Sequence, residues 1–596
     1  MDIQISKTEF EDFGLRKKKD GIYLCASFDF LNKAGANIYD LSDGKLFAAI
    51  EIPDDFFIGN VACIFIKGLK CDFGYRLFSD DKEFHDPYAR EYDTSLDLCV
   101  FRSNANASFF GKDKTLNLKP EDLVIYETNV RAQTMADPVI KKDKGTFKAL
   151  ERKIPYLKSL GVTSLMLMPV YSVLPAKADY RDADNTLKPN LWGFGRGLHF
   201  SLKEEYFASL NHEFEFKHFI YALHKEGLEI ILMMEFHETD STEYIMSVLK
   251  YYLLNYHIDG FRLIGGGFDF YQIAGYPLFK NTKLFYNNFD FSNCRPSGNI
   301  KFKNLICMDE DFLINSRRFL KGDEDCVRPL SFAVRENHKY FSKVRMITDF
   351  SGFTLYDLVS YNLKHNEANG EANSDGTDYN FSWNCSVEGE TKSRKVKSLR
   401  DRQIKNAFLF TFLSQGIPLL RGGDECLNSQ NGNNNPYCQD NETGWITKGN
   451  HKAARELTEF VKNLIAFRKR HVILHQPKEL QMFDYMSVKV PDVSYHSKDA
   501  FKLDAYPASR SFGILYYGDY AKQYTKVKEP SVYIIYNMHW EKETFALPLK
   551  AEEGRWKLLY STDGSTDSSF DEEKAAVLPG KFFEAPERSV SVLLLD

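Results

Sequence analysis

Glu235, His237 and Glu238 lie together in the string Leu232-Met-Met-Glu-Phe-His-Glu-Thr239, and Asp349 lies in Ile347-Thr-Asp-Phe-Ser-Gly-Phe353. Carboxylates beside an imidazole are the groups that move protons in general acid–base chemistry. These four side chains are therefore candidates for such a site, although their spacing matches no established constellation. Arg262, in Asp259-Gly-Phe-Arg262, is a permanent cation that can pair with Asp349 or Glu235, or hold a ligand; an ion pair is the more frequent use. Trp192 and Phe350 offer ring faces on which a sugar could stack, and such rings serve packing at least as often. The ten cysteines, at positions 25, 63, 71, 99, 294, 307, 326, 385, 426 and 438, show no CxxC pair and no His-Cys ligand spacing. No metal or other cofactor is expected, and the cysteines read as reduced, mostly buried thiols of a cytoplasmic protein.

The elements that must position these residues follow from changes of hydrophobic period. Up to about residue 100, short apolar runs alternate with Gly, Asn and Asp turns (Ile22–Phe28, Lys45–Ile52, Val61–Ile66), the pattern of a β-sandwich. Ser103 to Lys119 is polar and reads as a linker. The middle alternates apolar strands with amphipathic helices. Val124–Glu127, Ser164–Met168, Glu229–Met233 and Gly260–Ile264 read as strands, and Thr146–Leu160, Glu215–Lys225, Tyr244–Asn255, Arg400–Leu413 and Glu456–Arg470 as helices. Continuous apolar strands separated by helices mean a parallel sheet covered by helices. Beyond about residue 480, period two returns in Val532–Tyr536, Thr544–Pro548, Trp556–Tyr560 and Val590–Leu595. The expected fold class is multidomain α/β and β: a β-sandwich over 1–102, a linker over 103–122, a (β/α)8 TIM barrel over 123–475 and an antiparallel C-terminal β-sandwich over 476–596.

A net charge of −6 in 596 residues argues against nucleic-acid binding, which needs clustered positive charge. No secretory signal and no long apolar run is visible, so neither secretion nor a membrane is expected. Aromatic content is high at 15%, from 49 Phe, 33 Tyr and 5 Trp; it suits a Phe-rich core first and sugar stacking second.

Several strings carry a family resemblance: Val124-Ile-Tyr-Glu-Thr-Asn-Val-Arg131, Leu160 to Val170, Asn190-Leu-Trp-Gly193, Asp259-Gly-Phe-Arg262, Gly352 to Tyr361 with His365-Asn-Glu-Ala-Asn-Gly-Glu371, Phe381-Ser-Trp-Asn-Cys385, and Gly422-Gly-Asp-Glu425 with Gly432 to Asn441. The chain resembles the isoamylase and bacterial glycogen-debranching branch of the α-amylase superfamily of glycoside hydrolases. The resemblance implies a barrel with chemistry at the C-terminal ends of its strands, an N-terminal module of the starch-binding type, and retaining hydrolysis of α-1,6 branches in glycogen or amylopectin.

Retaining hydrolysis needs a carboxylate nucleophile and a carboxylic acid about 5–5.5 Å apart. At the positions that match the family's pattern, the nucleophile is replaced by Ile264, two residues after Arg262, and only Gly265, Gly266 and Gly267 follow. The acid is replaced by Asn287, in Lys283-Leu-Phe-Tyr-Asn-Asn-Phe-Asp290; an alternative alignment on Asn304-Leu-Ile-Cys-Met308 puts Met308 there. The third carboxylate is replaced by Ser351 and the histidine before it by Phe350. On the third strand, His237 and Glu238 stand where Asn and His belong, and Met233 replaces an aspartate. The long excursion between the third and fourth strands is missing, leaving room for one helix. No catalytic residue of the family's set is therefore expected. Binding candidates are Trp192, Arg262, His237, Glu238, Asp349 and Phe350. The expected function is a non-catalytic homologue in α-glucan metabolism, with an α-glucan and an active debranching homologue as candidate partners. The alternatives are a debranching glycosidase using relocated carboxylates, or a scaffold or sensor unrelated to glucan.

Overall fold

A computed structural model describes residues 3–29, 32–69, 72–103, 113–174, 188, 190–287, 289–290, 303–447, 452–548 and 555–595. Eight parallel strands close into a barrel: β1 Ile125–Thr128, β2 Ser164–Leu167, β3 Glu229–Phe236, β4 Gly260–Gly265, β5 Lys283–Tyr286, β6 Leu305–Met308, β7 Ser342–Arg345 and β8 Ile417–Arg421, with β8 pairing back to β1. The string from Lys283 thus begins the fifth strand, and Leu305–Met308 is the sixth.

Helices cover the barrel. His212–Lys225 (α1) starts where the Asn211 side chain accepts from the Phe214 N–H, and it buries Phe216, Phe219, Ile220 and Leu223 against the strands. Thr242–Tyr256 (α2), capped by Ser241, is the whole connection from β3 to β4 apart from its short flanking turns. The expected single helix over Thr146–Leu160 is instead two, Phe147–Glu151 and Ile154–Leu160. Pro155 sits in the first turn of the second, where its missing N–H costs nothing, whereas inside a continuous helix it would break the ladder. Arg394–Phe412 and Lys452–Arg470 run longer than their apolar patterns because exposed polar residues extend both starts.

The N-terminal residues form two antiparallel sheets, one of five strands and one of six. Ile22, Leu24, Ile64 and Ile66 of the first share a core with Ala36, Ile38, Tyr75 and Leu77 of the second. Cys25 and Cys63 face each other across adjacent strands and form a disulfide, which corrects the expectation of reduced thiols for this pair. Cross-strand pairing is invisible in a spacing of 38 residues. Cys99, Cys307, Cys326, Cys385 and Cys438 are free thiols. At the other end, a six-stranded antiparallel sheet and a two-stranded one pack through Leu515, Tyr533, Ile535 and Leu593 against Phe545, Phe583 and Ala585.

The segment expected to be a linker is only partly one. Residues 104–112 lie outside the described set, but from Asp113 the chain is bound to the N-terminal end of the barrel. Asp113 accepts from His224 Nδ1 and His257 Nδ1, both at 2.9 Å, and His224 Nε2 lies 2.9 Å from Asp259 Oδ2. The N–H groups of Leu116 and Leu118 donate to Asp259 (2.9 Å) and Glu229 (2.7 Å). Lys283 Nζ completes the cluster, 2.7 Å from Glu229. His224 occupies the last turn of α1 and His257 caps α2 in a left-handed conformation (φ 55°), so both imidazoles sit at helix C-termini, which favour a cation. Among the described residues no helix is long and apolar enough to cross a membrane.

Candidate functional site: a filled barrel mouth

Five methionines share the barrel interior with aliphatic side chains and one phenylalanine. Met166, Met168, Met233, Met308 and Met346 are all at most 4% exposed and pack with Ile125, Ile231, Phe285, Ile306 and Leu419. Unbranched methionines fill such irregular space well. Met233 stands in register with Arg262 on the next strand, so the position expected to have lost an aspartate presents a thioether beside the guanidinium.

Above this layer lies a buried band of charge. Arg262 Nη1 donates to Glu127 Oε2 at 2.8 Å, and Nη2 lies 3.4 Å from Asp349 Oδ2. All three side chains are at least nine-tenths buried. Burial pushes the Glu127 carboxyl up, against the pull of Arg262. Of the two partners expected for Arg262, Asp349 is present and Glu235 is not among its contacts; the shorter bond goes to Glu127, which the sequence reading did not single out. Its signal was a lone acid in an otherwise apolar strand. Arg421 and Arg317 were also missed. Arg421 donates to Gly352 O and Gln430 Oε1, both at 2.9 Å. Arg317 donates to Ile347 O and Asn380 O, and burial pulls its guanidinium down to about 10.

Over the charged band sits an aromatic cap. Phe350 lies 5.1 Å from the Arg262 guanidinium, stacks on Phe194 at 4.9 Å, and meets Trp192 edge-on at 5.6 Å. Ile264 joins the same cluster. Trp192 and Phe350 are therefore brought together, against each other, with Phe194 as the partner the sequence reading missed. Phe194 follows Asn190-Leu-Trp-Gly193 by one residue and carried no separate signal. Two small hollows lie elsewhere: one near Pro120, Ser342 and His475 at the opposite end of the barrel, the other behind Arg317 near Leu358 and Trp383.

The remaining candidates scatter. Glu235 stands in register beside Ile264, half-buried, accepting from the Gly195 N–H; burial pushes its carboxyl up, and Gly195 and His237 oppose this. His237 and Glu238 are exposed on the turn after β3, where His237 Nδ1 pairs with Thr239 Oγ1 at 3.0 Å. Asn287 Nδ2 donates to Glu310 Oε1 at 2.8 Å. Ser351 Oγ donates to Asp349 Oδ1 at 3.0 Å. The expected acid–base group of Glu235, His237, Glu238 and Asp349 is thus not assembled, because Asp349 is committed to Arg262 while His237 and Glu238 face water. The asparagine-rich strings hold each other: Asn366 bonds Asn434 at 2.8 Å, Asn433 bonds Asn369 at 2.9 Å and Asn434 bonds Asn380 at 3.0 Å. Among the described residues, no group of three His, Cys, Asp or Glu side chains could hold a metal ion.

No family model matches the chain. Glycogen operon protein GlgX homolog of Mycobacterium bovis is 28% identical over 449 residues, which are 61% of this chain and 60% of that protein. Isoamylase 3, chloroplastic, of Oryza sativa is 28% identical over 536 residues, 72% of this chain and 68% of that protein. The chain is thus similar to GlgX and isoamylase proteins. It spans about 60% of the length of the GlgX homologue. In fold it matches a pullulanase from Anoxybacillus sp. LM18-11 complexed with maltotriose, with a TM-score of 0.70 at 16% identity, over 98% of this chain and 85% of that one. The chain therefore shares that pullulanase's fold, with Ile264, Asn287 and Ser351 around the mouth of its own barrel.

Proposed function

We propose that the chain is a non-catalytic isoamylase homologue that binds α-glucan, alone or as the regulatory subunit of an active debranching enzyme. The Phe350–Arg262 contact beneath Phe194 and Trp192 supports the non-catalytic half of this reading, and a mouth blocked by Phe350 and Ile264 is equally the mark of the alternative, a scaffold or sensor unrelated to glucan. The place where a sugar would meet nucleophile and acid is packed with the chain's own side chains, and the matching positions offer no group able to attack carbon or deliver a proton. The relatives' printed names concern glycogen and isoamylase, and a structural neighbour was solved with maltotriose, which supports α-glucan as the ligand class. The two N-terminal sheets, in this reading, act as a starch-binding-type module, and the C-terminal sheets as a second sandwich.

The test is native electrophoresis in gels with and without glycogen, alongside a reducing-end assay on amylopectin with and without an active debranching homologue. Retardation without release of reducing ends, or a changed rate of the homologue, is the expected result. Absence of both glucan retardation and any effect on the homologue overturns the proposal.

A second reading, hydrolysis by relocated carboxylates, has one specific support. Glu235 flanks Ile264, and Glu310 is hydrogen-bonded to Asn287, so a carboxylate adjoins each vacated position. It requires release of reducing ends by the wild type that disappears in both Glu235→Gln and Glu310→Gln.

A further inference from the structure

The six-stranded N-terminal sheet ends on one side in Tyr92–Asp93, which adjoins Gly197–Leu202 on the barrel, and on the other in Leu46–Glu51. Leu46–Glu51 pairs antiparallel with Ala34–Tyr39, and among the described residues no strand pairs with its outer side. The Ile52 N–H donates to Ala34 O at 2.9 Å, which sets the alternation of the ladder. The peptide groups of Ala48 and Ile50 therefore face Ala34–Tyr39, and those of Ala49 and Glu51 face outward. Outward N–H and C=O groups in a row are a template for another strand.

Other edges of the N-terminal sheets are guarded. Gly14–Lys18 carries Arg16, Lys17 and Lys18, Gln4–Lys7 ends in Lys7, whose Nζ donates to Asp55 O at 2.6 Å, and Tyr92–Asp93 is two residues long. Charge and short length are the usual protection of an edge. Leu46-Phe-Ala-Ala-Ile50 has no charge, proline or glycine, and Leu46 and Phe47 are 57% and 49% exposed. Phe47 is the extra residue of a bulge, since Ala48 faces Ile38 and Leu46 faces Tyr39. Bulges re-aim side chains at sheet edges, and this one stands beside two large exposed apolar groups where protection would call for charge.

The occupant is indicated by the strand's own sequence. Set antiparallel to itself about a two-fold axis at Ala48, the strand places Lys45 opposite Glu51, Leu46 opposite Ile50 and Phe47 opposite Ala49, each of them twice. Opposite charges meet at both ends, and the large Phe47 ring meets a small side chain. Ala49 and Glu51 then face odd-numbered residues, as the alternation of the ladder requires. A shift of two residues one way sets Glu51 against Phe47, and the other way against Asp43, a like charge. In the single chain Lys45 Nζ lies 2.7 Å from Asp43, with 81% of the lysine side chain exposed; an exposed pair of this kind is worth little, so exchanging it for Glu51 costs little. A second copy supplies the complementary pattern by symmetry alone.

We propose that Leu46–Glu51 is a self-association edge, pairing in this register with the same strand of a second copy and joining two N-terminal sheets into one. The strand that adjoins the barrel is at the far end of each sheet, so both barrels stay outside the contact. The pairing is independent of what the barrel binds. One strand buries less than the roughly 800 Å² per partner of a stable complex, so the association is weak.

The experiment is sedimentation velocity of the full chain between about 1 and 100 µM, where the wild type is expected to pass from monomer to dimer. Ala49→Pro removes one outward N–H and leaves the inner ladder intact, and it should stay monomeric. Lys45→Glu and Glu51→Lys each set like charges at both ends and should weaken association about tenfold. An equimolar mixture of these two variants restores the dimer, because a strand with two acids then meets a strand with two lysines; so does Lys45→Glu/Glu51→Lys in one chain. Thermal midpoints equal to wild type show that each variant is folded, and if Ala49→Pro does not fold, the charge exchange decides. A wild type that stays monomeric, or an Ala49→Pro that associates as the wild type does, overturns the proposal. Single charge variants that associate unchanged, or a mixture that stays monomeric, overturn it equally.

Discussion

Arg262 of β4 reaches across the barrel to Glu127 of β1, Nη1 to Oε2 at 2.8 Å, in a space where both are almost wholly excluded from water. The arginine that the resemblance would set beside a nucleophile is thereby neutralised by a carboxylate from another strand, with Asp349 as its second partner. Removing Glu127 leaves Arg262 with Asp349 alone, so the cost is that of a weakened buried hydrogen-bond partner rather than of a stranded charge. Glu127→Gln is expected to lower stability by about 1–3 kcal/mol, measured as a fall in the urea midpoint at unchanged slope. A loss below about 1 kcal/mol, the range of an exposed pair, would show that the pair is solvated.

The aromatic cap predicts a spectroscopic change. Phe350→Ala removes the ring that Trp192 meets edge-on and that Phe194 stacks on. Phe350 is only partly buried, so the cost is about 2 kcal/mol, below the 3–5 of a fully buried phenylalanine. Water admitted to the mouth shifts tryptophan emission to the red. Unchanged emission in a folded variant means that Trp192 does not rest on Phe350.

The clasp at the opposite end of the barrel gives a pH dependence. His224 lies between Asp113 and Asp259, and despite burial these carboxylates raise its imidazole to about 9. A folded pKa above the unfolded 6.5 contributes stability that is whole below pH 6.5 and lost as pH rises through 9, at most about 3 kcal/mol. The Asp113 carboxyl is pulled the other way: burial raises it, and the hydrogen bonds and charge of His224 and His257 outweigh that and lower it. Its contribution is lost in acid, as pH falls through that lowered value. Stability is therefore expected to fall from about pH 7 to pH 10, and the fall should shrink in His224→Gln. Equal slopes in the two proteins would remove the clasp from the account.

The paired cysteines predict a mass difference. Alkylation of the unfolded chain should add two more groups after reduction than before it, and the bridged peptides should contain Cys25 and Cys63. Closing a loop of 38 residues is worth about 4 kcal/mol in the chain-entropy account, so Cys25→Ser/Cys63→Ser should loosen the N-terminal sheets. Equal alkylation with and without reductant would return both residues to the free thiols first expected.

Hydrophobic period was enough to read the alternating strands and helices of the barrel and the β-rich character of both ends, because the repeat of a helix or strand is written in neighbouring residues. The resemblance, not the period, pointed to Ile264 and Asn287, and these residues stand at the ends of β4 and β5. Helix ends were read less well: Pro155 divided one expected helix, and polar first turns lengthened two others.

What the linear order of residues determined was therefore local: the alternation of strands and helices, and the side chains, Ile264 and Asn287, that end β4 and β5. Only the closed barrel decided which distant residues meet there. Glu127 and Arg262 are 135 residues apart in sequence, and Trp192, Phe194 and Phe350 come from the connections after β2 and β7. Asp113 is 111 residues from His224 and 144 from His257. Local spacing cannot report such meetings, since they arise when eight strands converge and bring charges and rings into one low-dielectric volume. There each group must find a partner or bear the cost of burial.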